Sequence, residues 1–326
     1  MTTPGGDLRE TFEQLDELTR HERRVAMATL VSTKGTTPKK EGAKMWVGED
    51  GRIRGSVTIG GCVDAQVLAE SDAVLRSSTP MLLSLSLGDE DAWDLGLTCG
   101  GTVDVLIEPV QLDDPADPVV QAYRAIRAEA GAGRRAVAVV PLGIGGPGLA
   151  RRLVVREDGT TLGTLGDARL DAAATAHALD AIAHSASRTV DVEAGDARAT
   201  FFFELHGPAT TLVLFGAGQV AMPLVQFAKG LGWRVVLVDA RDRYATRERF
   251  PDADEIHIGA LGEIAAQMRY DASTIVIVVA HDYKFELPVL RVVLAQAPAY
   301  IGLLGNRRRG RALLDFLAAD GFDADA

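Results

Sequence analysis

The chain carries two cysteines, and each stands against a pair of glycines. Cys62 follows Gly60 and Gly61 in "GSVTIGGCVDAQV", and Cys99 precedes Gly100 and Gly101 in "LTCGGTVDVLIEP". Thiols in glycine-walled loops suit two kinds of chemistry. A thiolate exchanges persulfide sulfur, and it is a soft ligand for a soft metal centre. Cys62 lies just before the helical pattern of "VDAQVLAESDAVL", where a helix N-terminus favours the thiolate. The glycines would let a bulky ligand reach the backbone. The long spacing between the cysteines excludes a C-x-x-C redox pair, and without a second pair a structural zinc site is disfavoured. The plain alternative is that each cysteine is a small buried hydrophobe.

A second group of residues could bind phosphate. "TLVLFGAGQVA" runs an apolar strand into Gly216, Gly218 and Ala221, in the G-x-G-x-x-G/A frame. The first glycine permits the tight turn, the second a close phosphate, and the third small residue tight helix packing. Gln219 opens the following helical stretch, and "WRVVLVD" supplies a second strand ending in Asp239, an acid placed for ribose hydroxyls. Arg241 leaves NAD and NADP equally open. Two more strands are predicted at Thr274–Ala280 and Tyr300–Gly305. His281, Asp282, Asn306 and Arg307 follow them and should face the crevice, since ligands lie beyond the carboxyl ends of such strands. The arginines could hold phosphate or pyrophosphate, or simply open a solvated helix. Such a fold does not by itself establish hydride transfer.

The elements that must position these residues read as α/β throughout. An amphipathic helix is expected over Asp7–Arg24, strands at Arg24–Thr33 and Thr102–Val110, and a hairpin turning at Asp50-Gly51. "KMWVGEDGRIRG" from Lys44 resembles "RLVVREDGTTLG" from Arg152, with Gly51 matching Gly159, Gly55 matching Gly163 and Asp64 matching Asp171. Ile107-Glu108 falls where Phe203-Glu204 does. The expected organisation is an N-terminal α/β region, 1–206, holding an internal duplication (about 24–110 and 135–206). A C-terminal Rossmann-like doubly wound parallel sheet, 210–326, follows it. Both cysteines and both glycine pairs belong to the first copy alone. A shared fold does not require them, which points to a site in that copy.

Composition narrows the partners. The chain has 326 residues, 47% hydrophobic and 24% charged, with a formal net charge of -11. That charge disfavours nonspecific nucleic-acid binding. No apolar run approaches the length of a membrane span, and the N-terminus does not read as a secretory signal. Two cysteines are too few for a disulfide framework, so reduced thiols in the cytoplasm are expected.

At these residues the sequence resembles the XdhC/CoxI family of maturation factors for molybdenum hydroxylases such as xanthine dehydrogenase and carbon monoxide dehydrogenase. The resemblance rests on the two cysteine segments and on "LFGAGQVAMPL", "VVLVDARDRYATRERFPDADE", "AHDYKFELPVL" and "AYIGLLGNRRRGRALL". It implies a chaperone that binds molybdenum cofactor (molybdopterin), protects it during sulfuration and inserts it into an apo molybdenum hydroxylase. A cysteine desulfurase would be a further partner. Cys62 becomes a candidate contact to molybdenum or its sulfido group, with Cys99 second. The chain departs from the family at Asp64, where Glu is common, at Gln219, where His is common, and at Asn306, where Ser is common. No acid/base pair or nucleophile–base motif is legible, which favours a carrier over an enzyme. A carrier built from repeats with exposed edges is compatible with a homodimer. The alternative is an NAD(P)-dependent oxidoreductase or a nucleotide-binding regulatory protein using the crevice.

Overall fold

The structure is a computed structural model that describes residues 8–35, 39–58, 61–86, 101–142, 151–280 and 282–322; of residues 8–13 and 62 it describes the backbone alone. The chain divides into two compact units, Met1–Pro208 and Ala209–Ala326.

The first unit opens with helix α1, Leu8–His21. Then come strands β1 (Arg24–Gly35), β2 (Lys44–Gly48) and β3 (Ile53–Gly55), helix α2 (Cys62–Ser77), and strands β4 (Met81–Ser86) and β5 (Gly101–Gln111). The strands form one antiparallel sheet in the order β3-β2-β1-β5-β4. Helix α3, Pro118–Gly131, leads to the second half. There, β6 (Ala136–Pro141), β7 (Leu153–Arg156) and β8 (Thr161–Gly163) precede helix α4 (Ala168–Ala183), which β9 (Arg188–Ala194) and β10 (Ala197–His206) follow. Their antiparallel sheet has the order β8-β7-β6-β10-β9, the same path traced again.

Side-chain alternation explains why β1 reads as an unbroken apolar run. Ala26, Ala28 and Leu30 belong to the core beneath α2, with Val67, Val74 and Ile107. Val25, Met27 and Val31 belong to a different core, shared with α3 and with Ala136, Ala138, Val140 and Phe202 of the second sheet. Strand β6 alternates the same way, sending Val137 and Val139 to a core with Ala174 and Ala178 of α4. Each central strand is therefore buried on both faces, one by its own helix and one in the core common to both sheets.

The second unit is a parallel sheet. It comprises β11 (Thr211–Phe215), β12 (Arg234–Asp239), β13 (Glu255–Ile258), β14 (Thr274–Val278) and β15 (Tyr300–Leu303). The order is β13-β12-β11-β14-β15. Helices α5 (Ala221–Gly230), α6 (Leu261–Gln267), α7 (Tyr283–Leu294) and α8 (Arg307–Ala319) connect the strands, and separate cores line the two faces. Strand order reverses between β11 and β14, which opens a crevice where the chain leaves those two strands. This is the Rossmann-like sheet expected from the sequence.

Candidate functional site

Helix α2 begins at Cys62, and its N-cap is Gly61 with φ 94° and no side-chain capping bond. In the first turn, Asp64 reaches back to the loop after β3. It accepts from Ser56 Oγ at 2.5 Å, Val57 N at 3.2 Å and Thr58 N at 3.3 Å. Helix α4 in the second half repeats this brace: Asp171 accepts from Thr164 Oγ1 at 2.6 Å and Leu165 N at 2.7 Å. It adds a side-chain cap that α2 does not show among the described residues. Asp167 caps α4, accepting from Arg169 N at 2.8 Å and Leu170 N at 3.4 Å. The first N–H groups of a helix have no intrahelical partner and carry partial positive charge. In α4 a carboxylate answers them. In α2 a glycine stands there, followed by the cysteine.

Gly60, Cys99, Gly100 and His281 lie outside the described residues, as does the side chain of Cys62. Gly101, the first residue of β5, pairs with Gly35. A Cβ on Gly101 would overlap the Lys34 carbonyl oxygen, so close approach of β1 requires a glycine there.

In the second unit the glycine turn and the acid are joined directly. Gly216 has φ 112°, and a Cβ there would stand 3.0 Å from Ala280 N. Gly218 has open space within 4 Å of the place its Cβ would take. Asp239 Oδ2 accepts from Ala217 N at 2.6 Å, tying the turn to the end of β12. Arg241 grips the same carboxylate, with Nε 2.9 Å from Oδ1 and Nη2 2.9 Å from Oδ2. Burial opposes ionisation of Asp239, but the Arg241 and Ala217 donors hold its carboxyl below the usual range. A cleft of about 300 Å³ opens here, walled by Gly216, Asp239, Arg241, Ala280, Tyr283 and Phe285 among others. Gln219 is exposed beside the turn. Asn306 caps α8, accepting from Arg309 N at 2.9 Å, and Arg307 is exposed on its first turn.

Sequence reasoning missed a buried charge cluster between the halves of the first unit. Lys44 Nζ lies 2.7 Å from Glu204 Oε1, and Arg152 pairs with Glu108; all four side chains are buried. Tyr123 donates to Glu204 at 3.2 Å, and His206 stands 3.4 Å from it. Burial disfavours the Glu204 carboxylate, yet Lys44 and His206 outweigh that and hold its pKa well below the ordinary value. The same burial and the neighbouring Glu204 and Glu108 charges push the Tyr123 phenol well up. A signal existed: Lys44 and Arg152 occupy matched positions, as Glu108 and Glu204 nearly do.

Two family models match. The one described as the XdhC and CoxI family covers residues 18–86 and 145–193, and the one described as the XdhC Rossmann domain covers 212–326. The chain belongs to the XdhC/CoxI family. Its second unit corresponds to the XdhC Rossmann domain, and α2 with Cys62 lies inside the matched N-terminal part. Among curated relatives, the chain is 26% identical over 302 residues to a probable xanthine dehydrogenase subunit of Bacillus subtilis, covering 92% of this chain and 85% of that protein. It is 23% identical over 289 residues to the molybdenum cofactor insertion chaperone PaoD of Escherichia coli, covering 86% of this chain and 67% of that one. A crystal structure titled as a xanthine dehydrogenase from Bacillus halodurans superposes with a TM-score of 0.72 at 26% identity, over 95% of this chain and 85% of that one. No helix among the described residues is long and apolar enough to cross a membrane.

Proposed function

We propose that this XdhC/CoxI protein is a molybdenum cofactor-binding chaperone that shields the cofactor and inserts it into an apo molybdenum hydroxylase of the xanthine dehydrogenase type. Relatives named for xanthine dehydrogenase and for cofactor insertion support the reading. The observation that carries it is the contrast between two helices in matched places. Helix α4 is closed by Asp167, whereas α2 has Gly61 at its N-cap, with no side-chain cap among the described residues, and starts with Cys62. The cargo is an anionic pterin phosphate whose metal is soft enough for thiolate. Helix amides and a cysteine fit its charge and its metal.

In this reading Cys62 contacts molybdenum or its sulfido group, with Cys99 as the second thiol. Sulfuration precedes insertion, with a cysteine desulfurase as the sulfur source. The protein works as a homodimer in the cytoplasm, where both thiols stay reduced. The Rossmann-like crevice is a weaker fit to hydride chemistry, because the acid that would hold ribose is already bonded to Ala217 and Arg241.

Insertion itself is tested by adding chaperone purified from a cofactor-producing host to an apo hydroxylase under anaerobic conditions. Hydroxylase activity should rise with the cofactor delivered, and Cys62→Ala should deliver little. Equal activation by buffer containing free cofactor and no chaperone contradicts the proposal.

A further inference from the structure

The crevice of the second unit contains a feature that a dinucleotide site does not need. An acid at the end of the second strand ordinarily offers its oxygens to ribose hydroxyls. Asp239 has its acceptors filled. Oδ2 takes Ala217 N at 2.6 Å and Arg241 Nη2 at 2.9 Å; Oδ1 takes Arg241 N at 2.8 Å and Arg241 Nε at 2.9 Å. Two carboxylate oxygens present about four lone-pair positions, and these donors occupy them.

Arg241 is also held from its other side. Its guanidinium lies 4.1 Å from the centre of the Tyr244 ring, and Arg249 covers that ring at 5.1 Å. A planar cation fixed by a carboxylate fork and an aromatic face keeps its position and its charge. Its side chain is 46% exposed and lines the cleft, and Asp239 leaves Nη1 unused. The other acid on the wall, Asp282, is turned to cap α7, accepting from Lys284 N at 2.9 Å. Tyr283 and Phe285 line the same cleft, 44% and 37% exposed, and give it aromatic surface on which a flat ring could pack. Arg309 lies 4.9 Å from the Tyr283 ring centre and is anchored to the fully buried Glu286 at 2.7 Å, which fixes that wall.

We propose that Arg241 sets the specificity of this crevice: it withdraws Asp239 from ribose and offers its own charge, so that the crevice takes a flat heteroaromatic ring bearing a phosphate ester whether or not a vicinal diol is present. The phosphate lies at the turn of Gly216–Gly218 and the ring against Tyr283 and Phe285. A nucleoside monophosphate and a pterin phosphate share this chemistry. The inference does not require the cargo reading, and its probes contain no molybdenum, so each can fail without the other.

The test is calorimetric titration of the full chain with AMP, with 2′-deoxy-AMP, and with the phosphorylated oxidised pterin released from molybdenum cofactor. Wild type should bind AMP and 2′-deoxy-AMP with affinities within about twofold, because no acceptor reads the diol. Arg241→Ala should weaken both by about tenfold through loss of a charged donor. It should also separate them in favour of AMP, because Asp239 is freed. Arg241→Lys, which keeps charge but not the fork, should fall between. Tighter binding of the pterin makes it the natural ligand class; tighter AMP makes it a nucleotide. Three results overturn the proposal: a tenfold preference of wild type for AMP over 2′-deoxy-AMP, no binding of any probe at millimolar concentration, or affinities unchanged in Arg241→Ala. The first two need no variant to fold.

Discussion

Lys44 and Glu204 meet at 2.7 Å with 3% and 5% of their side chains exposed, and they join the two halves of the first unit. Arg152 and Glu108 make the same kind of contact in the opposite sense, cation from the second half and anion from the first. Lys44 opens β2 and Arg152 stands just before β7, its counterpart, so the two pairs read as one interaction used twice, once in each direction between the halves. This reciprocity, with the repeated strand order, supports the proposal that the unit arose by duplication of one α/β half.

Breaking either pair should be costly. Glu108→Ala leaves the Arg152 guanidinium buried without its carboxylate, and removing one partner of a buried pair costs about 3–5 kcal/mol. Replacing both with apolar residues of similar size, Arg152→Met with Glu108→Leu, should recover most of that loss. Denaturant unfolding of the single and double variants measures both effects. A single variant as stable as wild type contradicts the account.

Acid should act on the first unit through Glu204. Its pKa is depressed in the folded state, against about 4.3 for an unperturbed Glu. The stability it contributes is therefore present above the unfolded value and is lost as pH falls below it toward the folded value. Glu204→Gln cannot titrate. It should start less stable at pH 7 and show a shallower decline between about pH 5 and pH 3, read from urea midpoints. Parallel pH profiles for wild type and variant would remove Glu204 from the acid response.

The two glycines of the turn in the second unit should respond oppositely to a methyl group. Gly216→Ala must adopt φ 112° with its Cβ 3.0 Å from Ala280 N, a strained conformation costing about 1–3 kcal/mol. Gly218→Ala enters open space and should change stability by less than about 0.5 kcal/mol. Thermal unfolding separates them. Equal losses would mean that the turn is not held as described.

The contrast between α2 and α4 predicts two further changes. Asp167→Ala removes a cap and should cost about 1 kcal/mol of stability. Gly61→Asp places in front of Cys62 the kind of carboxylate that closes α4. An L residue at φ 94° is strained by about 1–3 kcal/mol, so Gly61→Ala, which carries the strain without the charge, is the control. Relative to it, the negative charge beside the helix amides should lower cofactor content on the order of tenfold. Unchanged cofactor content in a folded Gly61→Asp would move the cargo away from α2.

Much of this was legible in the residues. The second unit announced itself through strand, glycine turn, helix, strand and Asp239 in order, because each step is a local consequence of backbone and periodicity. The likeness of Lys44–Gly55 to Arg152–Gly163 was equally visible. The choice of partners was hidden. Nothing in the sequence joins Lys44 to Glu204 or Arg152 to Glu108, since those contacts depend on how two sheets share a core. Nor could the sequence show that Arg241 folds back onto Asp239: two residues apart beyond a strand end, their side chains could as well have diverged. Asn306 caps α8, a role the sequence does not separate from a crevice contact, because a strand-end polar residue and a helix N-cap occupy the same place in sequence.

The central claim is that this protein carries molybdenum cofactor with Cys62 in the site. The most direct measurement is the molybdenum and pterin content of wild type and Cys62→Ala, purified anaerobically from one cofactor-producing host. Metal is read by mass spectrometry and pterin by fluorescence of its oxidised form. The account predicts near-stoichiometric molybdenum and pterin in wild type and little of either in Cys62→Ala. Absence of both from wild type would contradict it.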